Sequence, residues 1–132
     1  MKTDQCLVEE ALRAKENAYA PYSKFRVGAA LLSCDGQVFT GCNIENASFG
    51  ATNCAERTAI FKAVSEGRRE FAVIAIASDS SHFTYPCGIC RQVMAEFNSE
   101  MRIIVANREG ESKALSLNEL LPHSFASRDM KK

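Results

Sequence analysis

Two short cysteine-bearing stretches constrain this chain more than anything else in it: Cys54-Ala55-Glu56 and, further on, Pro86-Cys87-Gly88-Ile89-Cys90. Each is expected to open a helix. Cys87 and Cys90 lie three apart, so at a helix start they share a face and can grip one ion. A catalytic zinc takes three protein ligands, thiolate among its preferred donors, and leaves one position for water. Cys54 supplies the third ligand if the two helix N-termini converge. Parallel strands carrying their helices on the same side of a sheet would bring them together. The unpaired N–H groups and partial positive charge of both N-termini then favour thiolate over thiol.

Glu56, two residues from a ligand, can stand beside the metal's water without binding the metal. A carboxylate there can remove a proton from the water and deliver it to a departing amine. A first-turn glutamate also favours the helix dipole, but that effect is only about 0.3–1 kcal/mol. The place beside a ligand makes proton transfer the expected role. Three thiolates and one zinc ion carry a net charge of minus one. Arg57 is placed to donate hydrogen bonds to sulfur and offset it. Away from such crowding it would read as the surface arginine of an amphipathic helix.

C-x-x-C by itself is a weak signal, shared with redox motifs and half-sites of structural zinc. Pro86 before it, the separate Cys-Ala-Glu and an intervening strand together point to a catalytic zinc. The alternative is a structural four-cysteine site that recruits Cys42, which spacing does not exclude. Cys6, Cys34 and Cys42 are instead expected to be small apolar fillers and not ligands.

The length of 132 residues is one domain, spanning 1–132. Sixteen basic residues balance sixteen acidic ones. A polynucleotide partner usually demands a basic patch, so nucleic acid is not expected. No apolar run reaches the length of a membrane span. Met1-Lys2-Thr3-Asp4-Gln5 lacks the apolar core of a signal peptide, so a cytoplasmic location is expected. Six cysteines in that compartment read as thiols or metal ligands.

Along the chain, helical spacing of Leu7, Val8, Ala11, Leu12, Ala14 and Ala18 predicts a helix from Asp4 to Tyr19, capped by Thr3 or Asp4. Val27 to Leu32 and Gln37 to Gly41 predict a hairpin about Asp35-Gly36. Cys42 to Asn53 is a polar loop, long for a compact domain, and such loops are often functional. Helices are expected from Cys54 to about Ser65 and from near Cys87 to about Phe97, with a strand from Phe71 to Ala77 between them. Arg102 to Ala106 and Ser112 to Leu115 complete the strands. Ser116-Leu117-Asn118-Glu119 fits a capping box for a last short helix. The expected fold is a three-layer α/β/α domain around a mixed five-stranded sheet, with parallel crossovers and the first hairpin as its only early antiparallel pair.

Five blocks carry a resemblance over nearly the whole chain: Tyr19-Ala20-Pro21-Tyr22-Ser23-Lys24-Phe25, Val27-Gly28-Ala29-Ala30-Leu31, Gly41-Cys42-Asn43-Ile44-Glu45-Asn46-Ala47, Cys54-Ala55-Glu56-Arg57-Thr58-Ala59, and Pro86-Cys87-Gly88 with Cys90-Arg91-Gln92-Val93. They resemble the cytidine deaminase family in its small homotetrameric form, and the metal stretches fit the three-cysteine version of the zinc-deaminase signature. The resemblance implies one zinc ion per subunit, hydrolysis of free cytidine and 2′-deoxycytidine in pyrimidine salvage, and a homotetramer whose neighbouring subunits complete each active site. It implies that Asn43 and Glu45 bind the ribose hydroxyls. Phe25 would pack against the base, Ala55 and Phe49 would line the substrate, and Phe125 would reach the base of a neighbouring subunit. Phe49 stands where many relatives have Tyr, and Ile89, where Ala is commoner, would crowd the metal pocket. The loop from Asp79 to Tyr85, with His82, matches no block. Two other deaminases stay open, one acting on blasticidin S and one on polynucleotide, as does a non-enzymatic zinc module using Cys42.

Overall fold

Thr3 starts the first helix: its hydroxyl accepts the Cys6 N–H at 3.1 Å, and the helix α1 runs Asp4–Ala14. The computed structural model describes residues 3–131; Met1, Lys2 and Lys132, the ends of the expected domain, lie outside the described residues. Helix α1 stops short of Tyr19. A 3₁₀ turn, Lys15–Asn17, lets the chain extend at Ala18, so that Tyr19 can bond Asn43 O and Glu45 N. Tertiary bridging overrides the helical spacing there.

The sheet comprises β1 (Val27–Ser33), β2 (Val38–Cys42), β3 (Phe71–Ser78), β4 (Arg102–Ala106) and β5 (Ser112–Ser116), in the order β2-β1-β3-β4-β5. Helices α2 (Ala55–Ser65) and α3 (Gly88–Phe97) follow β2 and β3, and the capping box at Ser116 and Glu119 opens α4 (Leu117–Leu120). The mixed five-stranded sheet is as expected, but the pairing differs in one respect. β1 pairs antiparallel with β3 as well as with β2, and only β3 and β4 are parallel neighbours. The crossover through α2 steps over β1, so β2 and β3 run the same way without touching.

Alternation along the central strands sorts the core into two layers. Ala29, Leu31, Ile74, Ile76, Ile103 and Val105 face α2, α3 and α4, together with Ala59, Ile60 and Met94. Ala30, Leu32, Ala75, Ala77, Ile104 and Ala106 face α1 through Leu7, Val8 and Ala11. The α1 layer uses small strand residues, and Gly28 completes it: a Cβ there would strike the backbone of Ala11 and Lys15. Gly41 does the same for α2, where a Cβ would lie 2.5 Å from Ala55 O and from Ala59 N. Both helices therefore lie closer to the sheet than any side chain would allow.

This topology brings the chemistry to one edge. The carboxyl ends of β2 and β3, the start of β1 and the N-termini of α2 and α3 all lie at the same end of the sheet, the usual ligand-binding end of open α/β sheets.

Candidate active site

Cys54 is the N-cap of α2 and Cys87 the N-cap of α3, both with extended backbone, and neither side chain accepts a capping hydrogen bond. A position that usually carries Ser, Thr, Asp or Asn is given to a residue that turns its side chain elsewhere. Their Sγ atoms lie 3.8 Å apart. With the buried Cys90, the three Sγ atoms all lie within 4.8 Å of one another. Cys42 is not part of that group, and burial pushes its thiol up against the opposing charge of Lys62. The four-cysteine arrangement is therefore not formed. Cys6 and Cys34 are also no ligands, yet both are exposed, contrary to their expected burial as apolar fillers. Cys6 falls on the solvent side of α1, and Cys34 sits in the turn between β1 and β2.

The crowded sulfurs divide their charge unequally. Hydrogen bonding from Cys90 is the largest influence on Cys54, and with Arg57 and Cys87 it brings that thiol down to about 5 against the effect of burial. Cys90 is pushed strongly up by its hydrogen bond to Cys54 and by burial. Arg57 Nη2 donates to Cys54 Sγ at 3.2 Å. Burial works against the guanidinium charge, but the bonds to Cys54 and Cys90 outweigh it and hold Arg57 above its ordinary value. Its Nε is buried without a hydrogen-bond partner among the described residues. Three convergent thiols with a cation behind them are a donor set for a soft, tetrahedral ion, and they fit zinc.

Glu56, 4% exposed, lies in the first turn of α2 beside this cluster. Burial raises its carboxyl to about 7; its own backbone N–H opposes the rise and the Cys54 charge adds to it. Ala55 packs fully into the core, with none of the residue exposed. Ile89 is exposed and does not wedge among the sulfurs.

The polar loop before Cys54 is not structureless. Ile44 and Asn53 exchange two hydrogen bonds of 2.9 Å, which ties the Asn43–Glu45 segment to the residue preceding Cys54. Thr52 Oγ1 accepts from Asn46 N, and Phe49–Ala51 forms a 3₁₀ turn. Glu45 is clasped by the turn before β1. Its Oε1 accepts from Tyr22 N and Ser23 N at 3.0 and 3.1 Å, its Oε2 from the Ser23 hydroxyl, and these bonds hold its carboxyl below the usual range. A cavity of about 410 Å³ opens here, lined by Tyr22, Ser23, Glu45, Asn46, Phe49 and Thr52. The Phe49 ring meets Tyr22 edge-on at 6.4 Å.

Asn43 is buried, and its amide bridges the entry to β1. Oδ1 accepts Val27 N at 2.9 Å and Nδ2 donates to Phe25 O at 2.8 Å. Phe25 is half exposed at this edge. Phe125 is exposed, and its carbonyl accepts Gln92 Nε2 at 2.7 Å. Gln92 lies two residues from Cys90, nearly opposite it around α3. The tail is thus tied to the helix face turned away from the sulfurs.

Several positioning residues carried no clear signal in the sequence. Thr58 Oγ1 donates to Cys54 O at 3.1 Å and accepts from Asn53 at 3.0 Å, fixing the peptide of the first ligand. Arg91 joins Pro86 O at 2.8 Å to Leu120 O at 2.9 Å, bracing the loop of the second. Polar residues flanking a ligand were their only available sign.

Such a centre belongs to hydrolases that exchange an amine for water at a metal, with a buried carboxylate moving the protons. Comparison with known proteins narrows that class. The family model described as the cytidine and deoxycytidylate deaminase zinc-binding region matches residues 1–107. The chain is 53% identical over 127 residues to a cytidine deaminase of Halalkalibacterium halodurans, covering 96% of each chain. It is 50% identical to one of Sporosarcina psychrophila, over 94% of this chain and 92% of that one. The crystal structure of cytidine deaminase from Burkholderia pseudomallei superposes with a TM-score of 0.90 at 49% identity, covering 94% of this chain and 100% of that one. The chain belongs to the cytidine and deoxycytidylate deaminase family.

Proposed function

We propose that this protein hydrolyses free cytidine and 2′-deoxycytidine to uridine and 2′-deoxyuridine, releasing ammonia, in pyrimidine salvage. The observation that carries this is the burial of Glu56 in the first turn of α2, beside three convergent thiols, in a chain half identical to cytidine deaminases over nearly its full length.

Cys54, Cys87 and Cys90 would hold one zinc ion, which when bound supplies a Lewis acid that lowers the pKa of water at its open position. Glu56 takes a proton from the attacking water at a carboxylate oxygen and passes it to N3 of the ring as the oxygen bonds to C4. It then relays the second proton to the exocyclic amine; the C4–N bond breaks and ammonia leaves. Arg57 keeps the sulfurs ionised. A carboxylate has about four acceptor sites, of which Glu45 commits three to the turn, leaving about one for a sugar hydroxyl. Asn43 commits Oδ1 and one N–H to β1 and keeps its second N–H for the sugar. The Ala55 backbone and Phe49 line the substrate, and Phe25 packs on the base.

Phe125 completes the site of a neighbouring subunit in a homotetramer. The Gln92 contact on the far face of α3 supports this, as does the exposure of Phe25, Phe49, Phe61 and Phe125. No helix among the described residues is long and apolar enough to cross a membrane, and all six cysteines are free thiols; action in the cytoplasm is part of the proposal.

Zinc per chain and ammonia release from cytidine, 2′-deoxycytidine, blasticidin S and single-stranded DNA test the reading together. One zinc with turnover of the two nucleosides is expected; release from blasticidin S or DNA alone overturns it. Mixing Phe125→Ala with Glu56→Ala subunits should restore part of the activity, and a mixture as inactive as its parents rules out action in trans.

A further inference from the structure

Every backbone polar group from Phe25 to Val27 has a partner, and three side chains supply most of them. Ser23 Oγ accepts Phe25 N at 3.0 Å. Asn43 takes Phe25 O and Val27 N with its side chain, and its own N–H donates to Val27 O at 3.2 Å. Arg26, between them, is held by Asp79: its N–H donates to Asp79 Oδ2 at 3.2 Å, and its carbonyl accepts Asp79 N at the same distance. Asp79 also accepts Arg26 Nε and Nη2 at 2.9 and 3.0 Å and the buried Lys15 Nζ at 2.8 Å. Glu16 closes the group against both cations, 3.1 Å from Arg26 Nη1 and 3.5 Å from Lys15 Nζ.

Asp79 leaves the end of β3 on the segment that leads to Pro86 and Cys87. Its loop matched no motif of the sequence, and the reaction makes no use of its charge. Yet it joins the strand leading to the metal ligands to the strand entry that carries Phe25. The Asp79 main-chain N–H to Arg26 O merely continues the pairing of β1 with β3, but an ion pair serving stability alone has no need of the Arg26 backbone N–H, which the carboxylate also takes.

We propose that Asp79 is a positioning residue for substrate: by clamping the Arg26 backbone N–H its carboxylate fixes the direction in which Phe25 leaves the sheet, and so where the aromatic wall stands relative to the metal centre. This rests on the proposed reading of Phe25 as the residue that packs on the base. The clamp works through the bond to the Arg26 backbone N–H, with the Arg26 guanidinium holding both carboxylate oxygens in place and Lys15 balancing their charge. An amide at position 79 keeps an acceptor for Arg26 N although it loses the charge, and this separates a clamp from an ion pair.

The test measures kcat and KM for cytidine, zinc content and thermal midpoint in four variants of the full zinc-loaded enzyme. Asp79→Ala is expected to raise KM about five- to tenfold, with kcat changed less than about twofold and zinc retained. Asp79→Asn is expected to restore most of that KM. Lys15→Met is expected to lower the thermal midpoint and leave KM unchanged. Phe25→Leu tests the underlying reading: an unchanged KM there removes Phe25 from the base. A raised KM in Phe25→Leu with an unchanged KM in Asp79→Ala overturns the clamp alone. So does a KM in Asp79→Asn as high as in Asp79→Ala, or a rise of equal size in Lys15→Met. If Asp79→Ala leaves Lys15 with only the more distant Glu16 and does not fold, Lys15→Met with Asp79→Ala removes both charges, and its KM is compared with that of Lys15→Met.

Discussion

The metal side of the site and the side proposed to hold sugar and base reach their geometry by different routes. Cys54 and Cys87 stand where they do because each is the N-cap of a helix, and Cys90 follows from the pitch of that helix. Their convergence needs only that two parallel strands carry two helices on one face. Asn43, Glu45 and Phe25 lie in connecting segments, held by bonds to Val27, Ser23 and Tyr22, residues far away in the chain. On the first side the functional atoms are turned away from the backbone. On the second they are largely engaged with it. Substitutions on the metal side should therefore affect chemistry with little loss of fold, while those on the other should mix the two.

The largest effects test the first half of that contrast. Cys90→Ala is expected to release zinc and leave no measurable turnover, since two sulfurs do not make the three-ligand site. Glu56→Gln is expected to keep zinc and cost about 10²–10⁴ in kcat, the range for removing a general acid–base group. Metal analysis beside steady-state kinetics checks both. Near-normal turnover by a zinc-loaded Glu56→Gln protein would remove Glu56 from proton transfer.

Next in size is a pair of glycines. Gly28→Ala and Gly41→Ala each place a Cβ against helix backbone, on α1 and α2 respectively. Overpacking of this kind costs about 1–3 kcal/mol or more, so both should lower the urea midpoint. Only Gly41 touches the helix that carries Cys54 and Glu56. Gly41→Ala should also weaken zinc retention under competition with a chelator, and Gly28→Ala should not. Equal zinc loss in both would mean that the centre answers to global stability and not to the seating of α2.

Legibility followed the same division. Spacing alone found the three sulfurs and Glu56, because N-caps and helical pitch are local rules. The hairpin at Asp35-Gly36, the capping box at Ser116 and the end of α2 at Gly67 were legible for the same reason; Gly67 has φ +94°. What stayed hidden was non-local. The antiparallel pairing of β1 with β3 depends on which strand edge α2 steps over. The early end of α1 depends on a bridge between Tyr19 and Ile44. Asp79 gave no sign at all, since the partners that define it, Lys15 and Arg26, lie in other elements. Asn43 and Glu45 were named through family resemblance, which could not reveal how much of their bonding capacity the fold already uses.

That shared bonding gives a smaller, sharper contrast. Asn43→Ala leaves Val27 N and Phe25 O without their partner near the core and is expected to destabilise by about 1–3 kcal/mol per group left unpaired, read as a lower thermal midpoint. Glu45→Gln, at a half-buried position where the amide keeps an acceptor for the turn, should lower the midpoint less than Asn43→Ala does and raise KM for cytidine. The reverse pattern would exchange the structural and substrate roles assigned to the two residues.

The smallest expected effect lies in acid stability. Hydrogen bonds from Arg26, then from Lys15 and the Arg26 backbone, outweigh burial and hold the Asp79 carboxyl well below its ordinary 3.8. A depressed folded pKa means that the unfolded chain binds the proton first as pH falls. The stabilisation from Asp79 is thus complete above the unfolded value and lost as pH drops through the folded one. Glu45 and Asp35 are depressed too, by Ser23 and Ser33 hydroxyls, so the whole protein's pH profile does not isolate Asp79. The difference between the parent and Asp79→Asn does. Their urea midpoints should stay a constant distance apart from about pH 7 to pH 5 and draw together below about pH 4, where the unfolded carboxyl becomes protonated. A gap that stayed constant into acid would mean that the charge of Asp79 does not set the difference, since the amide at position 79 keeps the acceptor for Arg26 N.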